Sequence, residues 1–231
     1  MEKEGYKKLA KYYDEIYQNK DYSNEIKFLI EILNKHNSKK ILDVGCGTGT
    51  HISLLEKADF ECTGIDLNIE MLKIANKKVK AKLLQANMSD FNIDEKFDAI
   101  ICMFASFNHL LSIRESIKAL RCFYKHLKKN GILILDLHNS KTKGSKEDNF
   151  KNIYRKMSWD YNSGTKIETT KVVFRVPEGL IEDKHLMRIF SINEMNELLS
   201  GVGFKNIQIL GGYKQKVANG DSKNLEVIGQ K

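Results

Sequence analysis

Residues 43 to 49 read Asp-Val-Gly-Cys-Gly-Thr-Gly, and an apolar run from Lys40 to Val44 leads into them. Glycines at that density just past a buried strand expose backbone N–H groups and keep side chains away. A nucleotide-like ligand needs such a turn at the edge of an α/β sheet. The spacing departs from the dinucleotide pattern G-x-G-x-x-G, because Gly49 comes one position early and Thr50 stands where the third glycine belongs. Asp43, two positions before the first glycine, is also foreign to that pattern. Asp66 closes the next strand-like run, where a carboxylate can take two ribose hydroxyls as a bidentate pair; alone, it suits a nicotinamide dinucleotide as well. His109 is the third candidate: an imidazole titrates near pH 6.5 and can accept a proton from an ammonium, its competing role being to cap the following helix.

The elements that must position these groups follow from periodicity. Apolar runs alternate with helical stripes from residue 23 onward, the pattern of an α/β protein with a mostly parallel sheet. Strands are expected over 40–44, 61–66, 82–86, 97–103 and 132–137, and a closing pair over 205–210 and 224–229. Ser23 is placed to cap a helix carrying Ile26, Leu29, Ile30 and Leu33, and Asn68 one carrying Met71, Leu72 and Ala75. Ser112 with Glu115, and Ser191 with Glu194, form two capping boxes. The first opens a helix ended by Gly131, the second a helix closed by Gly201 and Gly203. Residues 139–149 are polar and lysine-rich, whereas 166–176 and 183–190 alternate like antiparallel strands, so this region reads as an insertion.

With 231 residues, 42% hydrophobic and 29% charged, the chain is long enough for one domain with its own core. It divides into a leading segment 1–22, a core 23–139, an insertion 140–190 and a closing part 191–231. No apolar stretch approaches the roughly 18 residues of a membrane span, and charges stand among Met1 to Tyr6 where a signal peptide would be apolar. A soluble, cytoplasmic protein is expected. The four cysteines, Cys46, Cys62, Cys102 and Cys122, form no C-x-x-C pair, which indicates neither a metal site nor a disulfide scaffold. The net charge of +8 comes from 33 Lys and 5 Arg spread over every segment. Base readout favours Arg, so a nucleic-acid partner is disfavoured while a preference for anionic small molecules stays open.

An acid followed by G-x-G-x-G, then Asp66 after the second strand, Gln85 to Asp90 after the third and Cys102 to Ser106 after the fourth resembles the class I S-adenosylmethionine-dependent methyltransferases. The resemblance implies a Rossmann-like α/β fold, a seven-stranded sheet with helices on both faces that ends in a reversed hairpin. It implies S-adenosylmethionine as cofactor and S-adenosylhomocysteine as product. Asp43, Gly45, Cys46, Gly47 and Gly49 would form the glycine-rich cradle, and Asp66 would hold the ribose, with Leu67 and Met71 also on the cofactor. Asn87 and Met88 would hold and cover the adenine, many relatives having Asp at the position of Asn87. Met103, Phe104 and Ala105 would line the methionine arm.

Base-directed enzymes of this fold carry N-P-P-Y, D-P-P-Y or Pro-Cys after the fourth strand, whereas the only proline here is Pro177. Tyr12 to Tyr17 with Lys20-Asp21-Tyr22, and Met103 to Leu110, resemble the nucleotide-linked amino-sugar N,N-dimethyltransferases, with Asn108 where those enzymes usually have Gly. That resemblance implies His109 as the base, with Tyr6 and Tyr13 as catalytic tyrosines on a leading segment that folds over the cleft. Tyr17, Tyr22, Ser106, Asn108 and His185 would meet the acceptor. The implied reaction is methyl transfer to the amine of a small molecule. The alternatives are a glycine-like amine, another metabolite or an O-acceptor, then RNA or protein. A cofactor-binding regulatory protein without turnover is the alternative of a different class. The chain would act as a monomer or as a homodimer paired through the insertion strands.

Overall fold

The computed structural model describes residues 9–214 and 216–231. Its main sheet holds strands β1 (Lys40–Val44), β2 (Glu61–Asp66), β3 (Lys82–Gln85), β4 (Phe97–Cys102), β5 (Leu127–His138), β10 (Lys205–Leu210) and β11 (Asn224–Gln230), in the order β10-β11-β5-β4-β1-β2-β3. The pairs β3-β2, β2-β1, β1-β4 and β4-β5 are parallel, and β11 runs antiparallel to both β5 and β10. From β1 the chain proceeds to β2 and β3 on one side and then returns to β4 and β5 on the other. The crevice above the carboxyl ends of β1 and β4 is therefore the topological switch point, where α/β sheets bind ligands.

The central strands are apolar on both faces because both faces are covered. Ile41, Ala99, Ile101, Ile132 and Ile134 pack with Phe28, Leu29 and Leu33 of helix α2 (Tyr22–Lys35) and with Ile52 and Leu55 of helix α3 (Thr50–Glu56). Leu42, Val44, Ile100, Leu133 and Leu135 face the other way, onto Leu120 and Phe123 of helix α5 (Ile113–His126) and Leu198 and Leu199 of helix α6 (Ile192–Val202). Both capping boxes form as expected, and Gly203 closes α6 with a φ of 115°. Helix α4 (Ile69–Ala75) is capped by the Asn68 side chain, whereas α2 is capped by Asp21, not Ser23.

Gly131 does not end α5. That helix stops at His126 and β5 begins at Leu127, with a register shift against β4 between Phe97 and Ala99. A Cβ on Gly131 would lie 2.9 Å from the Asp98 carbonyl oxygen and 3.0 Å from that of Lys128, so its role is close backbone passage.

The insertion is a four-stranded antiparallel sheet, β6 (Gly144–Phe150), β7 (Ile153–Asn162), β8 (Ile167–Val176) and β9 (Gly179–Arg188). The polar stretch expected over 139–149 thus becomes mostly an edge strand. The insertion rests on the leading segment, a 3-10 turn (Ala10–Tyr12) and helix α1 (Tyr13–Ile16). Leu9 and Ile16 pack against Phe150, Ile153, Val172, Phe174 and Val176. Among the described residues no helix is long and apolar enough to cross a membrane.

Candidate active site

The turn after β1 is built by three glycines with φ of 74° (Gly45), 54° (Gly47) and 77° (Gly49), a left-handed conformation that other residues adopt only at a cost. It is tied to the neighbouring strand, since Gly45 N and Cys46 N both donate to the Ile65 carbonyl, at 2.8 and 3.0 Å. A Cβ on Gly45 would lie 2.8 Å from Ser106 Oγ, so the turn after β4 closes directly on the turn after β1. A Cβ on Gly47 would meet nothing within 4 Å, which leaves its backbone facing open space. Cys46 and Met71 are buried, Cys46 among the α2 and α3 side chains.

Asp66 is oriented by two backbone amides: Oδ2 accepts from Gly47 N and Oδ1 from Asn68 N, each at 2.8 Å. Carboxylate oxygens accept more than one hydrogen bond each, so both can also take hydroxyl donors. Leu67 and Ile69, beside it, are exposed at 41% and 36%, apolar surface fit to lie against a flat ring. Asn87 is turned onto its own loop, its Oδ1 accepting from Ser89 N and Ser89 Oγ at 2.9 and 2.8 Å, while Met88 packs against the core.

Asp43 is buried under the glycine turn, and its Oδ2 has no hydrogen-bond partner among the described residues. Desolvation pushes its carboxyl up to about 6, His51 opposing and Asp66 reinforcing the shift. The folded state therefore binds this proton more tightly than the unfolded chain does. Stability falls as pH rises from about 4 to about 6 and stays at the lower level above. Asp43→Asn abolishes that loss, so the cofactor-free variant should be more stable than the parent by on the order of 2–3 kcal/mol at pH 7.5, with little gain at pH 4. Thermal melts at the two pH values read this directly, and an equal gain at both would refute it.

After β4 the backbone is strained. Phe104 and Ala105 hold φ of 54° and 57°, which L-residues occupy at roughly 1–2 kcal/mol each. Asp136 on β5 fixes the turn, its Oδ2 accepting from Phe104 N at 2.8 Å and its carbonyl from Ala105 N at 3.2 Å. Directly across from Asp136 in register lies Glu226, fully buried, whose carboxyl burial raises to about 7. Ser106 donates to the Met103 carbonyl at 2.9 Å and opens the 3-10 turn Ser106–His109.

That turn carries His109, whose Nδ1 lies 3.2 Å from the Leu186 carbonyl of β9. A carbonyl only accepts, so the contact requires the proton on Nδ1 and leaves the lone pair of the neutral ring on Nε2. His185, adjacent in β9, stands 6.3 Å from His109 between ring centroids, and its Nε2 is 3.4 Å from Asp183 Oδ2.

The leading segment crosses this crevice. Asp14 accepts from Thr48 Oγ1 in the glycine turn at 2.6 Å and pairs with Lys78 at 2.8 Å, and at the other end Tyr12 and Lys11 bind Glu178 of the β8–β9 turn. Tyr17 lies between Tyr13 and Phe104, with ring centroids 4.7 and 5.0 Å away. Tyr22 packs on His51, and the Lys20 ammonium sits over the rings of both Tyr22 and Phe104 while paired with Glu25. Tyr6 lies outside the described residues.

Asn108 is placed otherwise than an acceptor contact requires. It is fully buried, its Nδ2 donating to the carbonyls of His138 and Arg188 and its Oδ1 accepting from His138 N. It staples the 3-10 turn to β5 and β9, which explains an amide where a glycine is usual. Asp14 and Lys20 stand inside the leading-segment motif without a role that it assigns, and of Asp136, His138, Glu168 and Asp183 only His138 carries a signal in sequence, its position at a strand end.

The mostly parallel sheet, the reversed hairpin, the glycine turn and the acid on β2 define the class I methyltransferase fold. Residues 41–131 match a family described as "Methyltransferase domain". A glycine/sarcosine N-methyltransferase of Parasynechococcus marenigrum is 32% identical over 213 residues, covering 84% of this chain and 73% of that one. Another, of Aphanothece halophytica, is 41% identical over 124 residues, 51% of this chain and 47% of its own, so this chain matches about half the length of that relative. A dTDP-3-amino-3,6-dideoxy-alpha-D-glucopyranose N,N-dimethyltransferase of Streptomyces fradiae is 34% identical over 133 residues, 55% of this chain and 52% of its own. An S-adenosylmethionine-dependent methyltransferase structure from Clostridium acetobutylicum superposes with a TM-score of 0.85 at 22% identity, over 97% of this chain and 98% of that one. The chain belongs to the S-adenosylmethionine-dependent methyltransferase family.

The residues fit that family's cofactor. Asp66 offers a preoriented carboxylate, Gly47 an open backbone, and Asp43 an unsatisfied buried carboxyl beneath a turn that would receive a cationic amino-acid end. When bound, the cofactor supplies a methyl group activated on a sulfonium.

Proposed function

We propose that this chain methylates the amine of a small molecule, and that the favoured acceptor is an amino sugar carried on a nucleotide. The tautomer of His109 carries the reading. With Nδ1–H spent on Leu186, Nε2 is the atom that accepts the proton the amine must lose. Nε2 of His109 would take the amine's proton as the nitrogen accepts the methyl group that the bound cofactor would supply from its sulfonium. The remaining work is positioning, done by the strained Phe104–Ala105 turn and the tyrosines of the leading segment.

The run Met103 to Leu110 and the relatives named as amino-sugar dimethyltransferases support the sugar. The relatives named for glycine and sarcosine, 41% and 32% identical against 34% and 33% for the two sugar enzymes, support a second reading. Charge separates the two. The insertion's wall around His109 carries the carboxylates Glu168 and Asp183, while Arg155 and Arg188 are paired with Asp148 and Glu194. A glycine-type acceptor holds its carboxylate two bonds from the reacting amine, against those carboxylates, whereas a nucleotide-linked sugar carries its diphosphate several bonds farther from the nitrogen.

Release of S-adenosylhomocysteine is to be measured with dTDP-3-amino-3,6-dideoxy-α-D-glucopyranose, glycine and sarcosine. The sugar should support turnover. Turnover with glycine or sarcosine alone transfers the assignment to them, and none with any amine overturns it.

A further inference from the structure

A second imidazole–carboxylate pair stands at the same crevice. His138 is the last residue of β5, and its backbone N–H and C=O are both held by the side chain of Asn108, the neighbour of His109. Its Nε2 lies 3.1 Å from Oε2 of Glu168 on β8. The Glu168 side chain is only 3% exposed, and its other oxygen accepts from Thr170 Oγ1 at 3.1 Å. A buried carboxylate gripped by two donors is a fixed orienting group of the kind that sets a histidine tautomer. A carboxylate oxygen accepts, so the ring proton of this contact sits on Nε2 and the lone pair of the neutral imidazole on Nδ1. The His138 side chain keeps 28% of its exposure.

Resting on the methyltransferase reading above, we propose that His138, oriented by Glu168, binds the acceptor by accepting a hydrogen bond at Nδ1 from a hydroxyl group next to the reacting amine. His109 already serves the amine's proton, so a second imidazole acceptor in the crevice matches a second donor on the substrate. A carboxylate on the acceptor has no proton to give, and Glu168 behind the ring repels it. The Asn108 staple holds the two histidines in fixed relation, one imidazole for the nitrogen and one for its neighbouring oxygen. The acceptor class is therefore a vicinal amino alcohol, as in a hydroxylated amino sugar.

Two sugar nucleotides that differ at one carbon test this: dTDP-3-amino-3,6-dideoxy-α-D-glucopyranose and its 3,4,6-trideoxy counterpart, which lacks the 4-hydroxyl. His138→Ala should raise KM about tenfold, the loss of one hydrogen bond, with kcat nearly unchanged and the Kd of S-adenosylhomocysteine by calorimetry within twofold. A rise for the first sugar only assigns the bond to the 4-hydroxyl, and a rise for both assigns it to the 2-hydroxyl they share. Glu168→Gln should shift KM in the same direction by less. Unchanged KM with both sugars, or a fall in kcat at constant KM, overturns the proposal while leaving the function standing. A parent enzyme that turns over neither sugar overturns the amino-sugar reading, and this inference falls with it.

Discussion

Asp66→Ala should weaken binding of S-adenosylhomocysteine about a hundredfold. Two hydroxyl hydrogen bonds to a charged acceptor are lost, each on the order of 1.5–3 kcal/mol, and about 3 kcal/mol in total is two decades in Kd. The backbone adds to the effect, because Gly47 N loses its acceptor and the glycine turn keeps only the ties of Gly45 N and Cys46 N to Ile65. Asparagine should not rescue it. Oδ1 and Oδ2 each accept from a backbone amide, so the NH2 of an asparagine must face either Gly47 N or Asn68 N, donor against donor. Calorimetric titration of both variants, with a thermal melt to confirm folding, measures the loss. A Kd within threefold of the parent for the alanine variant would remove Asp66 from the cofactor site.

What could be read from sequence divides along the range of the interactions. β1, β2 and β10 fall where their apolar runs place them, and Asn68, Ser112 and Ser191 cap as their types require, because a strand core and a cap are written within a few residues. The glycine turn and Asp66 are local in the same sense. β6 was illegible because Ser145, Lys146, Glu147, Asp148 and Asn149 carry no apolar alternation. That strand is held by main-chain pairing to β7 at a sheet edge, where side-chain burial is not required. β7 was missed because Arg155, Met157, Trp159 and Tyr161 replace the usual aliphatics on its inner face. The clasp of Asp14 on Thr48 spans 34 residues and that of His138 on Glu168 spans 30, so neither leaves a spacing to recognise. Asn108 shows the converse: it stood in a legible motif, yet tertiary packing turned its amide inward.

His109→Ala should reduce turnover by roughly 10²–10⁴-fold, the usual worth of a positioned general base, while S-adenosylhomocysteine affinity stays within threefold. The separation of the two readouts follows from where the ring is anchored. Its Nδ1 is held by Leu186 on the insertion, whereas the turn of Phe104 and Ala105 after β4 is held by Asp136 on β5. Removing the imidazole therefore takes away the proton acceptor and leaves the strained turn in place. The cost to stability should be about 1 kcal/mol, since the Leu186 carbonyl loses one donor. His109→Gln supplies the sharper comparison. A glutamine amide can donate to Leu186 and restore the stability, but it cannot take up a proton, so its turnover should remain as low as that of the alanine variant. If glutamine restores turnover as well, His109 orients the insertion and the proton leaves by another route.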